Sequence, residues 1–297
     1  MELFCGLRMC NLHGLVPARA RHNVCARSHL TLWSLRRVAL RLGFFLMFAA
    51  AVGATRASAQ EHVRLVVLIS ANAEWAPTKA VLAPQKVERS PYGEFFTHVV
   101  AGEPVLFMHG GWGKIDAAAS AEYAISRWQP KVVINLGTCG GIEGRIQRGD
   151  RLLVTRTVVY DIHEAMGDAS EAVDAYSTDI DLKWLGHDRF PVRVRRTMLL
   201  SGDRDLVPAA LPDLLRRFPD ASAADWESGA IARVADRRQT RLLILRAVSD
   251  LVGPTRGEAM HNLPAFQDSA TRIMRLLLDD LRSFVPYILT RLATSGH

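Results

Sequence analysis

From residue 63 onward, apolar and polar positions alternate in blocks. Val63-Arg-Leu-Val-Val-Leu-Ile69 is a short, nearly continuous apolar run, the pattern of a strand buried on both faces. Residues 104–108 and 132–136 read the same way, and each run leads into glycines that predict loops: Gly110-Gly111-Trp112-Gly113 after one, Gly137-Thr138-Cys139-Gly140-Gly141 after the other. Between them, residues 115–128 are Ala-rich and predict a helix. Residues 152–159 and 198–200 add strands, residues 228–234 open a helix, residues 242–248 form another buried strand, and residues 266–281 carry apolar positions at helical spacing. Alternating strands and helices predict an α/β fold: a single domain with a mixed, mostly parallel central sheet flanked by helices. Ligands of such sheets sit beyond the carboxyl ends of the strands.

The first 59 residues follow another pattern. Arg36, Arg37 and Arg41 flank an apolar stretch over 42–54, and Ala57-Ser58-Ala59 then precedes Gln60. A basic flank, a short apolar core and a small-residue site together predict an export signal over 1–59 and a domain over 60–297, periplasmic or secreted. The apolar run is short of the about 20 residues a membrane span needs, so no stable membrane insertion is expected after processing; an uncleaved anchor is the alternative. Residues 1–59 hold eight arginines and one glutamate, which leaves 29 basic and 29 acidic side chains after them, a net charge of zero. The basic balance of the whole chain therefore belongs to the leader, and nucleic acid is excluded as a partner. Three of the four cysteines, Cys5, Cys10 and Cys25, also lie there. Cys139 alone can form neither an internal disulfide nor a tetrahedral zinc site, and no metal or cofactor is expected.

Three carboxylates stand at or just past the predicted strands: Glu74 in Ser70-Ala-Asn-Ala-Glu74, Glu227 in Asp225-Trp-Glu-Ser-Gly-Ala230, and Asp250 in Arg246-Ala-Val-Ser-Asp250. Singly, each could cap a following helix. Together, beside two glycine-rich stretches that let a ligand approach the backbone, they point to a site.

These motifs occur in a fixed order with Gly111-Trp-Gly-Lys114, Asn135-Leu-Gly-Thr-Cys-Gly-Gly141, Gly149-Asp150 and Ser201-Gly-Asp203. The series resembles the 5′-methylthioadenosine/S-adenosylhomocysteine nucleosidases of bacteria and plants, within the purine nucleoside phosphorylase superfamily, over about residues 62–282. It looks closer to the plant members around Gly137–Gly141 and Val248–Val252. The resemblance implies cleavage of a purine nucleoside at its N-glycosidic bond, and a homodimer. Positive charge then grows on the ribose and negative charge on the departing purine, so one group must protonate the base and another must activate a nucleophile on the opposite ring face. The resemblance makes Asp250 the acid toward N7, with Ser249 orienting it, and Glu74 the group that polarises the attacking water. Glu227 would accept hydrogen bonds from the ribose 2′- and 3′-hydroxyls, Trp226 would pack on the sugar face, and Thr138 would either lie near the nucleophile and ribose or shape a turn.

Departures from the family pattern concern specificity. Trp112 replaces a smaller aliphatic residue of the 5′ pocket, and Asp205-Leu206 stand where an aromatic often stacks on adenine. Tyr160-Asp161 replace a His-Asp pair. Lys114 faces an anion or supports its loop, Cys139 reads as packing, and His261 is a weaker candidate for the 5′ end. Three readings stand: an exported hydrolase, a phosphorylase of the same fold, and a non-catalytic nucleoside-binding or storage relative.

Overall fold

The computed structural model describes residues 63–186 and 189–294. The expected export signal over 1–59 lies outside the described residues. The chain runs β1 (Leu65–Ile69), α1 (Asn72–Leu82), β2 (Glu88–Arg89), β3 (Glu94–Val100), β4 (Glu103–His109), α2 (Gly113–Trp128), β5 (Val132–Ile142) and β6 (Arg151–Val159). It continues through α3 (Ala169–Ala175), β7 (Thr178–Asp179), β8 (Arg195–Ser201), α4 (Leu211–Arg217), β9 (Ala223–Asp225), α5 (Ser228–Arg237), β10 (Arg241–Val252) and α6 (Leu263–Thr294).

All these strands belong to one mixed sheet, in the order β10-β6-β8-β9-β5-β1-β4-β3-β2, with β7 on β6. The pairing of β10 with β5 closes β5, β10, β6, β8 and β9 into a ring. β5 pairs in parallel with both β1 and β10, and β1 in parallel with β4. Along β1, Leu65, Val67 and Ile69 enter one apolar cluster with residues of α6, while Val66 and Leu68 enter another with α2 and α5. Alternate side chains of a strand point to opposite faces, so helices on both faces explain why this run is apolar throughout.

Two expectations are corrected. The glycine-rich stretch after residue 136 is not a loop: β5 continues to Ile142, held by parallel pairing to β10 and by a short antiparallel contact of Gly140 and Gly141 with β9. Glycine is required there by crowding, since a Cβ on Gly141 would fall 2.7 Å from Ile146, 2.8 Å from Leu251 and 2.8 Å from Val248. The closing helix does not end at residue 281 but runs to Thr294, through Pro286. An interior proline costs a helix about 3 kcal/mol. Phe284, Val285 and Ile288, however, are all fully buried, and each contributes about 1.5–3 kcal/mol. Tertiary burial outweighs the local break. The expectation also lacked β2, β3, β7 and β9, which are short, peripheral or only half apolar.

Phe284→Ala should therefore cost about 3–5 kcal/mol, read as a lower urea midpoint with an unchanged m-value.

Candidate active site

The polar residues gather past the end of β1, along the interior of β5 and β10, and where the segment after β9 turns into α5. Glu74 lies in the first turn of α1 and is 3% exposed. Its Oε1 accepts hydrogen bonds from the backbone N–H of Thr138 at 2.6 Å and from Thr138 Oγ1 at 2.8 Å. Its Oε2 takes the N–H of Ala71 at 3.4 Å. The capping role is thus real but minor; the stronger bonds cross to β5. Thr138 therefore lies in a strand, bonded to Glu74, and not in a turn.

Beneath Glu74 lies a residue whose role the motif reading left open. Arg246 is 1% exposed. Its Nη2 meets Asp225 Oδ2 at 2.7 Å and Asn135 Oδ1 at 3.0 Å, Nε donates to Ser228 Oγ at 3.0 Å, and Nη1 donates to the Thr138 carbonyl at 3.3 Å. Nη1 also stands 3.6 Å from Glu74 Oε1. The signal was present in the sequence: an arginine and an asparagine interrupt runs that are otherwise apolar, and a buried charge must be paired. Gly137 is the complement of this packing, because a Cβ there would collide with Arg246 Nη1 and come within 2.7 Å of Glu74 Oε1.

Glu227 sits at the N-cap position of α5 but does not cap it; Asp225 does, accepting the Ser228 N–H at 3.1 Å. Glu227 Oε1 instead accepts the N–H of Gly113 at 3.1 Å. That bond brings the start of α2 to the site, and Trp112 stacks on Trp226 with ring centroids 4.9 Å apart. Burial, reinforced by Asp225 and Glu74 and opposed by Arg246, pushes the Glu227 carboxyl up to about 8. Three carboxylates around one guanidinium cannot all ionise cheaply.

Asp250 is within β10, not at its end. A bulge between Val248 and Asp250 shifts the register so that Asp250 pairs with Gly140. Bulges re-aim side chains beside active sites. Ser249 Oγ donates to Asp250 Oδ1 at 2.6 Å and lies 3.2 Å from the Cys139 carbonyl. Burial raises the Asp250 pKa, the Ser249 hydrogen bond works against it, and Glu258 and Asp205 add to the rise. Leu206 lies close to Gly140, 3.8 Å from where a Cβ would stand, and with Tyr160, Asp161, Arg204 and Asp205 lines a cavity of about 240 Å³.

The family model of the Phosphorylase superfamily matches residues 65–282. The chain belongs to the phosphorylase superfamily. The 5′-methylthioadenosine/S-adenosylhomocysteine nucleosidase of Halalkalibacterium halodurans is 28% identical over 187 residues, 60% of this chain and 80% of that protein. The one from Bacillus subtilis is 26% identical over 201 residues, 64% and 87% of the two chains. Among solved structures, the nucleosidase of Neisseria meningitidis in complex with methylthio-immucillin-A aligns with a TM-score of 0.60 at 20% identity, covering 75% of this chain and 99% of that one. The nucleosidase of Streptococcus pneumoniae in complex with 8-aminoadenine gives 0.61 at 18% identity, covering 74% and 100%.

Within this superfamily member, the remaining candidates resolve as follows. Lys114 supports its loop: Nζ contacts Asp161 Oδ1 at 2.5 Å, and its backbone N–H reaches Asp203 Oδ1 at 2.8 Å. Cys139 is buried, and burial drives its thiol far above the usual range, so it packs rather than reacts. His261 is exposed on the segment between β10 and α6 and joins none of these contacts.

A carboxyl whose pKa is higher folded than unfolded binds more protons folded, so stability falls as pH rises from the unfolded value near 4.3 toward about 8. Glu227→Gln removes this penalty. The variant should match the wild type near pH 4 and exceed it by more than about 1 kcal/mol near pH 8, where the penalty is complete. Urea unfolding at the two pH values checks it.

Proposed function

We propose that this chain is an exported purine nucleosidase that hydrolyses the N-glycosidic bond of a purine nucleoside such as 5′-methylthioadenosine or adenosine. The observation that carries the reading is the placing of Glu74 and Asp250 on the Thr138–Gly140 stretch of β5, with Glu227 close enough to Glu74 and Arg246 to feel their charges. Asp250, half-buried and raised in pKa, is the acid that gives a proton to N7 of the departing base. Glu74, with two hydrogen bonds from Thr138 and Arg246 beside it, is placed to orient water and take its proton. Glu227 stands between the Gly113 N–H and the Trp112–Trp226 stack, where it holds the ribose hydroxyls against an aromatic wall. Leu206 borders the base side near Asp250. The relatives named above, nucleosidases by description, support the same reaction.

Water rather than phosphate is the nucleophile in this reading. A phosphate dianion needs fixed positive charge in fork geometry. Residues 70–82 contain no arginine, and the N–H groups of Arg246 are directed at Asp225, Asn135, Ser228 and the Thr138 carbonyl. Phosphate placed there would meet the Glu74 carboxylate instead. A storage role would leave the paired acid and base without a purpose.

The bulk of Trp112 favours a small 5′ substituent over the homocysteinyl group. We further propose a homodimer, supported by Trp112 and Ile115, large apolar side chains 65% and 82% exposed at the start of α2. The periplasmic or secreted location rests on the leader pattern; among the described residues no helix is long and apolar enough to cross a membrane.

Purified protein should release free base and free ribose in phosphate-free buffer, with no gain on adding phosphate; ribose 1-phosphate as the product would establish the phosphorylase instead. Glu74→Gln and Asp250→Asn should each lower turnover by at least about a hundredfold while circular dichroism stays unchanged. For export, N-terminal sequencing of the mature protein should begin at Gln60, and an intact N-terminus on membrane-bound protein would count against it.

A further inference from the structure

A cavity of about 530 Å³ contains none of the three carboxylates. Asn72, Trp75, Ala76 and Lys79 of α1 line it. Their spacing places them on one stripe of the helix, and Glu74 falls on the opposite side. The other walls are the turn from Arg89 to Glu94, which joins β2 to β3, and His109 at the end of β4.

Its charges do not cancel. Glu94 Oε2 is taken up by Lys79 Nζ at 2.6 Å and by Trp75 Nε1 at 2.9 Å, so that carboxylate and that ammonium satisfy one another. Arg89 pairs in register with Glu94 across the two strands and its charge helps to lower the Glu94 pKa, but its guanidinium makes no hydrogen bond or ion pair among the described residues. The cavity therefore keeps one cation that no hydrogen bond holds, on a residue whose planar fork suits carboxylate and phosphate. Its aromatic wall is equally specific. His109 lies flat on Trp75, with ring centroids 5.5 Å apart and planes 13° from parallel, and Tyr92 stands at the rim. Burial lowers the His109 pKa, so the ring adds no second cation. The volume lies in the range of small-molecule sites, about 300–1,000 Å³.

We propose that this cavity is a second small-molecule site, in which Arg89 binds the phosphate or carboxylate group of an anionic ligand whose organic part lies against Tyr92 and the His109–Trp75 stack. The nucleoside site is separate, across α1.

Calorimetric titration of the full chain with inorganic phosphate, and separately with citrate, tests it and tells the two oxyanions apart. At least one of them should bind. Arg89→Gln, a change on an exposed two-residue strand, should weaken that binding at least about tenfold, while Glu227→Gln at the other site should leave it unchanged. Binding of neither anion at millimolar concentration, equal affinity in Arg89→Gln, or loss of binding in Glu227→Gln would overturn the proposal. Nucleosidase turnover of Arg89→Gln, assayed separately without added anions, should equal the wild type, so the two readings stand or fall independently.

Discussion

Arg246 carries a full charge in the interior, and the site is arranged around the need to compensate it. Burial works against that charge, and Asp225, Glu74 and Glu227 together more than offset the penalty. The compensation reaches across the fold: Asn135 and Thr138 come from β5, Asp225 and Ser228 from the turn into α5, and Glu74 from α1. Losing one partner of such a pair leaves a buried charge exposed to low dielectric, at about 3–5 kcal/mol. The same contacts that hold β5, β10 and α5 together thus hold the residues of the site in place.

The excess of carboxylates over cations has a chemical consequence. With one guanidinium among Asp225, Glu74 and Glu227, repulsion from Asp225 and Glu74 adds to burial in raising the Glu227 pKa. Asp250 lies further along β10 and is raised mainly by burial. Burial is thus the largest cause at both carboxyl groups, while Glu74 accepts direct hydrogen bonds from Thr138.

Position follows from backbone devices as much as from side chains. Asp250 faces the site because the bulge at Ser249 interrupts the alternation of β10. Arg246 and Glu74 can meet because Gly137 has no Cβ. Trp112 reaches Trp226 because the Gly113 N–H is fastened to Glu227. Each device is a local exception to regular structure, and each sits where the nucleoside is proposed to bind.

The sequence by itself determined the α/β class, the buried strands at β1, β4, β5 and β10, and the candidate carboxylates, because apolar periodicity and residue type are local properties. The order of the motifs also pointed to the superfamily. Tertiary structure alone decided the rest. That Gly137–Gly141 is strand rather than loop depends on partners β9 and β10, which are distant in the chain. That α6 passes Pro286 depends on burial of Phe284, Val285 and Ile288 outweighing a local penalty. Arg246 and Asn135 stood in the sequence as polar residues within apolar runs, but their partners lie up to about a hundred residues away, and no local rule pairs them. The stack of Trp112 on Trp226 has the same character: two exposed-looking aromatics in separate motifs become neighbours only when the chain closes around β5.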